Sequence, residues 1–475
     1  MSRRPRILFV AMHHSIHVAR WIGMVANRGW DLHLFPLDPG EPNPNLKGVT
    51  LHWPEPPEGP KASAEIPPLS SAPASRRRPL DRARRFAAFA MRDPCGAIAL
   101  IKRRLSLPVL SAAPSEAPVP VDAIRLERFR TTLDALGGPE AIARGQVRLG
   151  ESDAAAPVLN GPGVLASVIR RVQPDLIHSM EFQHAGYLVL RARELYGPDF
   201  PRWLATNWGS DIFYFRRFED HRQQITRLLQ ATDYYSCECH RDIGLAQELG
   251  YQGPALAVLP NSGGFDLDHL AALRSPEPPS RRKLLMIKGY HHFAGRAMTS
   301  MRVLESIAER LRKFEIILYS VSSEPRKKAF ELVEKGTLNI RVIDWATHDE
   351  ILSYFGRARL YMGVSISDAI STSVLEAMAM GAFPIQTDTS CCDEWFKDGK
   401  SGFIISPDDF DTIRDRFITA LEDDELVDRA AEINRRAVET RLDRRVLEPQ
   451  IRTFYESILD SSGGPPPSRA RSGIR

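Results

Sequence analysis

Residues 365–386 have the sequence SISDAISTSVLEAMAMGAFPIQ and follow a short apolar run at residues 360–364. That run is typical of a buried strand in a parallel sheet. Residues 372–380 are rich in helix formers, and Gly381 directly after them is a favoured C-cap residue. The stretch therefore predicts a strand, a loop, a helix and a second strand.

Three hydroxyl side chains, Ser371, Thr372 and Ser373, stand where this helix begins. Such residues favour helix N-caps, and the free N–H groups of a helix start bind phosphate. Ligands of open α/β sheets bind at the carboxyl ends of strands, where this loop lies. Asp368 on the loop and Glu376 one turn into the helix add two carboxylates. We predict a phosphate and sugar site here; the alternative is an ordinary strand–loop–helix with two solvated acids.

The same stretch resembles the donor-site signature of retaining glycosyltransferases of the GT-B fold, family four. In that signature two glutamates stand eight positions apart ahead of an AMA-G segment. Here Asp368 and Glu376 have this spacing and AMAMG follows, so only the first glutamate is replaced, by a residue one methylene shorter. The resemblance implies that Asp368 holds hydroxyls of the donor sugar. It also implies that Glu376 binds the ribose and that the N–H groups near Thr372 bind the diphosphate.

Length and composition predict a globular protein of two or more domains. The chain has 475 residues, of which 43% are hydrophobic and 26% charged. It has no apolar run of about eighteen residues, the length that spans a membrane, and no signal peptide is recognised. We therefore expect a cytoplasmic protein. The five cysteines have no pairing pattern, so no disulfide framework is predicted.

Strand and helix patterns alternate over most of the chain, except in a Pro- and Arg-rich stretch at residues 54–160. This alternation predicts the fold class α/β with doubly wound domains, and the resemblance to the GT-B fold implies two such Rossmann-like domains facing a cleft. The predicted parts are a first domain at residues 1–270 with the stretch 54–160 as an insertion, a second domain at 280–445 and a flexible tail at 461–475. The resemblance also implies that a helix at 446–460 crosses back onto the first domain.

The insertion contains a strongly basic segment. Residues 76–104 include ten Arg or Lys residues against two Asp residues, and Phe86, Phe89 and Ala90 fall on one side of a short predicted helix. A basic amphipathic helix suits an anionic membrane surface. Peripheral contact with the inner membrane face is one interpretation; a solvated, partly disordered insertion is the other.

Three histidines, His13, His14 and His17, occupy the loop after the first predicted strand. In many family-four enzymes this loop is glycine-rich and helps to bind the acceptor and the diphosphate. The resemblance therefore implies an acceptor-side role for these histidines, although a loop that is simply polar is the alternative. No metal site is predicted.

A second loop, NWGSD at residues 207–211, follows another predicted strand. Family-four enzymes often have a His-Gly pair here, with the histidine near the donor sugar. This chain has Trp208 before Gly209 instead. We therefore expect Asn207 and Asp211 to be the polar side chains beside Trp208 at the cleft; a helix N-cap is the alternative for Asp211.

The second domain carries two candidate cations for the donor diphosphate, Lys288 and Arg296. The resemblance assigns an Arg and a Lys around this loop to that task. Such a pair stabilises the charge that builds on the departing oxygen without a metal. Two surface cations are the alternative. The resemblance also places Asp344 and Trp345 beside the nucleotide base.

The resemblance covers about residues 5–52 and 160–460 and implies a retaining, metal-independent glycosyltransferase without a cofactor. Its partners would be a nucleotide-sugar donor and an unidentified glycan, lipid or small-molecule acceptor in envelope or capsular polysaccharide or glycolipid synthesis. No nucleic-acid partner is predicted. Two alternatives are a GT-B nucleotide-sugar epimerase and a degenerate, non-catalytic GT-B binding subunit.

Overall fold

Two parallel β-sheets, each covered by helices, make up the computed structural model of the chain. The structure describes residues 3–38, 40–55, 120–130, 161–254 and 256–460. Within these residues the sheets have seven and six strands, and every strand pair is parallel. The predicted fold class, two doubly wound α/β domains, is confirmed.

The elements of the described residues alternate along the chain as strands and helices. The strands are β1 (Arg6–Ala11), β2 (Asp31–Pro36), β3 (Val49–Glu55), β4 (Ile124–Arg130), β5 (Leu176–Met180), β6 (Arg202–Thr206), β7 (Tyr234–Ser236), β8 (Leu284–Lys288), β9 (Glu315–Tyr319), β10 (Ile340–Ile343), β11 (Ala358–Gly363), β12 (Phe383–Thr387) and β13 (Phe403–Ile405). The helices are α1 (Ile16–Gly23), α2 (Pro162–Val172), α3 (Tyr187–Tyr196), α4 (Glu219–Ala231), α5 (His240–Glu248), α6 (Leu267–Leu273), α7 (Ala297–Ser306), α8 (Ala308–Leu311), α9 (Ser323–Glu334), α10 (His348–Arg357), α11 (Thr372–Met380), α12 (Phe410–Glu422), α13 (Asp424–Arg441) and α14 (Arg444–Asp460).

The first sheet has the strand order β4-β3-β2-β1-β5-β6-β7. Its central strand β1 is buried from the second residue onward, as its apolar sequence requires. The chain winds outward from β1 to β4 and then returns to start β5 on the other side of β1. Ligands of such sheets bind where the winding reverses. The topology therefore brings together the loops that follow β1 and β5.

Strand β4 lies inside the predicted insertion. It pairs with β3 along its full length, from Val49 opposite Ile124 to Glu55 opposite Arg130. The sequence analysis missed this strand, because it lies inside a Pro- and Arg-rich stretch and forms the edge of the sheet. The basic segment 76–104 and the predicted tail 461–475 lie outside the described residues, so the predicted membrane contact stays a prediction.

The second sheet has the order β10-β9-β8-β11-β12-β13, and its winding reverses between β8 and β11. The loops after these two strands are joined by backbone hydrogen bonds. The Arg296 N–H donates to the carbonyl of Val364 at 2.8 Å, and the Ile366 N–H donates to the carbonyl of Ala294, also at 2.8 Å. The reversal thus places the loop after Lys288 beside the loop that carries Asp368.

Helix α11 begins and ends where the sequence predicted. All its residues after Thr372 are buried, and Gly381 ends it with a φ of 83°. This left-handed conformation is costly for residues with a Cβ atom. The helix is therefore held firmly, and its first turn is fixed relative to the sheet.

The two domains are joined by helices that cross between them. Helix α14 packs on the first domain, where the Tyr455 hydroxyl accepts from Trp21 Nε1 at 2.8 Å and lies 2.7 Å from His178 Nδ1. Full burial lowers the pKa of His178 to about 3, so its neutral ring can accept this hydrogen bond. Helix α6 packs on α10 and α11, so it belongs structurally to the second domain. None of the described helices is both long enough and apolar enough to cross a bilayer.

Candidate active site

A cavity of about 820 Å³ separates the carboxyl edges of the two sheets. Residues from both domains line it, including the loops at both winding reversals. The structure brings most of the sequence-predicted site residues to this cleft, namely His17, Trp208, Asp211, Lys288, Asp344, Trp345, Asp368, Ser371, Thr372, Ser373 and Glu376.

The start of α11 and Lys288 meet at one point of the cleft. Ser371 is the N-cap residue but does not cap through its side chain; its Oγ accepts from Lys288 Nζ at 3.2 Å. The N–H groups of Thr372 and Ser373 have no acceptor within the helix, because they belong to its first turn. Burial lowers the pKa of Lys288, but the electrostatic interactions with Tyr361 and Asp368 outweigh it and the pKa is raised. A buried ammonium group beside free N–H groups is suited to an anion.

Arg296 takes a different position from Lys288. Its guanidinium donates to the carbonyls of His292 at 2.9 Å and Gly295 at 2.8 Å, within its own loop. It does not line the cleft. Of the two predicted cations, only Lys288 lies at the helix start, while Arg296 stabilises the loop between β8 and α7.

Asp368 approaches the first domain closely. A Cβ atom at Gly209 would lie 2.9 Å from Asp368 Oδ1, and Gly209 has a φ of 40°. Only a glycine lets the two loops meet in this way. Burial raises the pKa of Asp368, although the charge of Lys288 opposes the rise. The carboxylate thus stands at the contact between the domains.

Glu238 is a cleft residue that the sequence analysis missed. It follows β7, is buried, and its Oε2 accepts from the Asn261 N–H at 3.1 Å. Burial, followed by the charge of Asp368, raises the pKa of Glu238 to about 8. Its carboxyl is therefore protonated at neutral pH and can donate a hydrogen bond. A single acid within CECH gave no sequence signal for this environment.

Glu376 is tied to the first domain through two residues that were also missed. His348, the first residue of α10, donates from Nε2 to Glu376 Oε1 at 2.7 Å. The other ring nitrogen of His348 accepts from Arg20 Nη2 at 3.3 Å, and Arg20 belongs to α1. Burial raises the pKa of Glu376, but the hydrogen bond and charge of His348 and the charge of Arg20 outweigh it, and the pKa is lowered. The capping box Thr347–Glu350 was a sequence signal for the helix start that positions His348.

His17 and Trp208 face each other across the cleft wall. Their rings are 6.0 Å apart and nearly perpendicular. Among the described residues, His17 Nδ1 and Trp208 Nε1 are buried without hydrogen-bond partners. Burial, followed by the charge of Arg20, lowers the pKa of His17 to about 4, so the ring is neutral near pH 7. Two unpaired polar atoms in a cleft are available to a ligand.

Asn207 and Asp211 stabilise the loop that presents Trp208. Asn207 is fully buried, donates to Asp242 Oδ2 at 2.8 Å and accepts from the Tyr235 hydroxyl at 2.6 Å, and does not line the cleft. Asp211 Oδ2 accepts from the N–H groups of Trp208 at 2.7 Å and Phe182 at 2.9 Å. Asp211 thus fixes a turn at the cleft surface and does not cap a helix.

His13 and His14 lie behind the cleft wall, not in it. His13 is fully buried and its Nε2 is 2.9 Å from the carbonyl oxygen of Gly40. His14 Nδ1 is 3.1 Å from Asp38 Oδ2. Of the three loop histidines, only His17 lines the cleft.

Glu181 is a strained acidic residue of the first-domain wall, and no pattern in the sequence indicated it. Its φ is 84°, which is rare for a residue with a Cβ atom. Its Oε1 accepts from the N–H groups of His184 and Ala185 at 2.6 Å and 2.5 Å, starting the π-turn Phe182–Gly186. Such strain persists where the surroundings fix a residue, often at functional sites.

Aromatic rings from both domains surround the opening of the cleft, and we call Tyr214, Phe215, Phe218, Tyr290 and Phe293 the aromatic mouth. Phe293 of the second domain lies 5.3 Å from Tyr214 and 5.5 Å from Phe215 of the first. Phe293 is 50% exposed and Phe218 46% exposed. Exposed aromatic groups at a cleft are typical of a binding surface.

Residues 302–437 match the family model described as glycosyl transferases group 1. These residues lie within the second domain, which therefore resembles the glycosyl transferases group 1. The match includes Asp368 to Gly381, so the predicted resemblance to glycosyl transferases group 1 is confirmed for this stretch. None of the curated proteins matches this chain significantly in sequence.

Solved structures share the arrangement of this chain over most of its length. Sucrose-phosphate synthase from Thermosynechococcus elongatus has a TM-score of 0.59 at 12% identity, covering 96% of this chain and 100% of its own. HepE of Anabaena, solved with UDP and glucose, has a TM-score of 0.57 at 12% identity with the same coverage. A glycosyltransferase from Rickettsia africae has a TM-score of 0.55 at 12% identity, covering 96% and 99%. These similarities show the GT-B fold.

Proposed function

We propose that the protein is a retaining glycosyltransferase that moves a sugar from a nucleoside diphosphate donor to an acceptor held by the first domain. One observation carries the proposal: the Lys288 ammonium group lies at the start of α11, where Asp368 and Glu376 line the same cleft. A cation and free helix N–H groups at one point favour a diphosphate. The complex of HepE with UDP and glucose makes UDP-sugars the first donors to test.

The donor would extend along the second-domain wall. The first N–H groups of α11 and Lys288 hold the diphosphate, and Glu376 accepts hydrogen bonds from the ribose hydroxyls. The base lies beside Asp344 and Trp345, and the Trp345 ring is 76% exposed and so free to contact it. Asp344 is held by an ion pair with Arg326. The ribose hydroxyls and His348 both hydrogen-bond the Glu376 carboxylate in this proposal. Because His348 also contacts Arg20, donor binding is coupled to the contact between His348 and Arg20.

The reaction breaks the bond between the anomeric carbon and the diphosphate oxygen. The acceptor oxygen attacks from the same face, and its proton passes to the departing phosphate oxygen, so no separate base is required. Lys288 and the α11 N–H groups stabilise the charge on that oxygen. Asp368 and the protonated carboxyl of Glu238 hold hydroxyls of the donor sugar. In this proposal the diphosphate needs no metal ion.

The first-domain wall and the aromatic mouth together favour a glycan acceptor of the kind used in polysaccharide synthesis. The aromatic mouth offers apolar faces, while Glu181, His17 and Trp208 offer polar atoms deeper in the cleft. A sugar ring has both a flat apolar face and hydroxyl groups. A lipid tail would cover the buried polar atoms without pairing them, which costs about 1–3 kcal/mol for each.

Thermal melting of the full chain with nucleotides tests the proposal. A nucleoside diphosphate at a hundred times its Kd should stabilise the protein by about 2.7 kcal/mol. Lys288→Ala should abolish most of the shift, whereas Lys283→Ala, an exposed lysine at the other end of β8, should keep it. If UDP, GDP, UDP-sugars and GDP-sugars all fail to raise the Tm of the wild type, the donor site does not exist as proposed. The alternative of a non-catalytic binding subunit is then favoured.

A nucleotide-sugar epimerase is the second candidate, and one observation favours it. Glu238, with a pKa raised to about 8 by burial, lines the same cleft as Asp368, so a protonated carboxyl that can serve as an acid shares the cleft with a second carboxyl. Incubation with UDP-sugars separates the two functions. Release of UDP in the presence of glycan acceptors supports transfer; an epimerised sugar still attached to UDP supports the epimerase.

A further inference from the structure

We propose that His13, His14 and Asp38 form a binding site for a divalent transition-metal ion at the carboxyl edge of the first sheet. The three residues come from the loops after β1 and β2, and one ligand atom from each lies within 4.8 Å of the others. No metal site was predicted for these histidines from the sequence. The inference is independent of the proposed glycosyl transfer and of the diphosphate site.

The hydrogen bond of His13 fixes which ring nitrogen carries the proton. Nε2 is 2.9 Å from the Gly40 carbonyl oxygen, which can only accept, so Nε2 carries the hydrogen and donates. In the neutral ring, Nδ1 then presents a lone pair. This atom faces Asp38 Oδ1 at 3.5 Å. Both atoms are buried without a hydrogen-bond partner among the described residues.

Two acceptor atoms that face each other in a buried site require a proton or a cation between them. A distance of 3.5 Å is long for a charge-assisted N–H···O hydrogen bond, which is about 2.7–2.9 Å. Zinc ligands lie about 2.0–2.2 Å from the metal, so neighbouring ligands of a tetrahedron are about 3.3–3.6 Å apart. The 3.5 Å distance between His13 Nδ1 and Asp38 Oδ1 falls within this range of ligand–ligand distances. The 3.1 Å distance between His14 Nδ1 and Asp38 Oδ2 is slightly shorter than the range.

The surroundings hold the three side chains in place. A metal-bound histidine usually donates its other N–H to a carbonyl or a carboxylate, as His13 does to Gly40. Asn43 ties the two loops together: its N–H donates to the His13 carbonyl at 2.9 Å, and its Nδ2 donates to the His14 carbonyl at 3.0 Å. The His13 ring also packs edge-on against Trp53 at 5.7 Å. The ligand geometry is therefore largely formed in advance.

The ligand set selects the class of ion. Two imidazoles and one carboxylate suit Zn²⁺, Fe²⁺, Co²⁺ or Mn²⁺ better than the all-oxygen sites of Ca²⁺ and Mg²⁺. The side chains of His14 and Asp38 are 49% and 40% exposed, so further coordination positions face solvent. The loop with His13 leads directly into α1, which carries His17 and Arg20 to the cleft. A bound ion would therefore fix the start of the helix that shapes the acceptor side.

Metal binding to the full-length protein tests the site. After treatment with a chelator, the protein should bind one Co²⁺ per chain, seen by visible absorption, and Zn²⁺ should displace it. His13→Ala and Asp38→Asn should each weaken Co²⁺ binding about 100-fold or more, since second-shell changes alone cost 10–100-fold. His14→Ala is the variant least able to disturb folding, because its side chain is half exposed, and it should weaken binding as well.

The matched control is His269→Ala. His269 Nε2 lies 3.0 Å from Asp349 Oδ1 in an exposed His–Asp pair outside the proposed site. This variant should bind Co²⁺ as the wild type does. The inference is overturned if the wild type binds Co²⁺ no more tightly than His14→Ala, or if His269→Ala loses as much affinity. In that case a proton on His13 Nδ1, and not a metal ion, lies between His13 and Asp38. The nucleotide-induced shift in Tm does not depend on this site and would be unaffected.

Discussion

The two walls of the cleft are built in different ways. The second-domain wall takes Asp368, the α11 start and Glu376 from one continuous stretch, to which Lys288, Asp344 and Trp345 are added from the ends of β8 and β10. The first-domain wall has no such continuous stretch and takes its side chains from five separate places: the start of α1, the turn after β5, the loop after β6, the segment after β7 and residues 261–262. A wall made from one stretch leaves a local signature, whereas a wall assembled from many loops does not. The residues proposed to bind the donor lie mainly on the second-domain wall, and those proposed to select the acceptor lie mainly on the first-domain wall.

The difference between the two walls predicts that the largest loss of activity follows a substitution on the second-domain wall. Lys288→Ala should lower turnover about 10²-fold or more, because it removes a charge that stabilises the leaving diphosphate. Arg296→Ala should lower it far less, because this guanidinium binds carbonyls of its own loop. Rates of UDP release with a fixed acceptor measure both. Equal losses for the two variants would show that Arg296 turns into the cleft during the reaction.

The contact between the walls predicts a dependence of stability on pH. The pKa of Glu376 is lowered in the folded protein relative to 4.5, because His348 and Arg20 outweigh burial. A lowered carboxyl pKa contributes stability that is present above pH 4.5 and is lost as the pH falls through the folded pKa. Wild-type Tm should therefore fall below pH 4.5 more steeply than that of Glu376→Gln. Glu334→Gln, at the exposed end of α9, should follow the wild type; if Glu376→Gln does too, the contact is not formed in solution.

His348→Ala sharpens the same comparison. It leaves the buried Glu376 carboxylate without its hydrogen-bond partner and breaks the link to Arg20, and it should cost about 1–3 kcal/mol of stability. Because Glu376 is then free for the ribose, affinity for UDP should be kept or increased. Denaturant unfolding and UDP titration measure the two effects. A parallel loss of stability and UDP affinity would mean that His348 itself binds the nucleotide.

The aromatic mouth, where the second-domain ring of Phe293 meets rings of the first domain, predicts a smaller, selective effect. Phe293→Ala should raise the KM of a glycan acceptor roughly fivefold, since an aromatic contact of this kind contributes about 0.5–1.5 kcal/mol. Affinity for UDP should not change. The control is Phe330→Ala on α9, where the ring is 55% exposed but does not line the cleft. An unchanged acceptor KM in Phe293→Ala would remove the aromatic mouth from acceptor binding.

Particular residues show which features were predicted correctly from the sequence and which were not. Helix α11 was predicted with its true bounds, because Ser371 and Gly381 are local end signals and the apolar residues between them are contiguous. Strand β4 was missed, because an edge strand needs little apolar pattern and its pairing with β3 joins distant residues. Arg296 resembled a phosphate ligand by position, yet its side chain turned to carbonyls that only the folded loop presents.

The sequence by itself determined the two α/β domains, the resemblance of the second domain to the glycosyl transferases group 1, and the helix start with Asp368 and Glu376. These features depend on periodicity and on short-range spacing, which a linear sequence carries directly. Only the tertiary structure decided that His348 and Arg20 reach Glu376, that Glu238 is buried near the charge of Asp368, and that His13 faces Asp38. Those contacts join residues far apart in the chain, and the winding of the sheets, not local pattern, brings their side chains within reach.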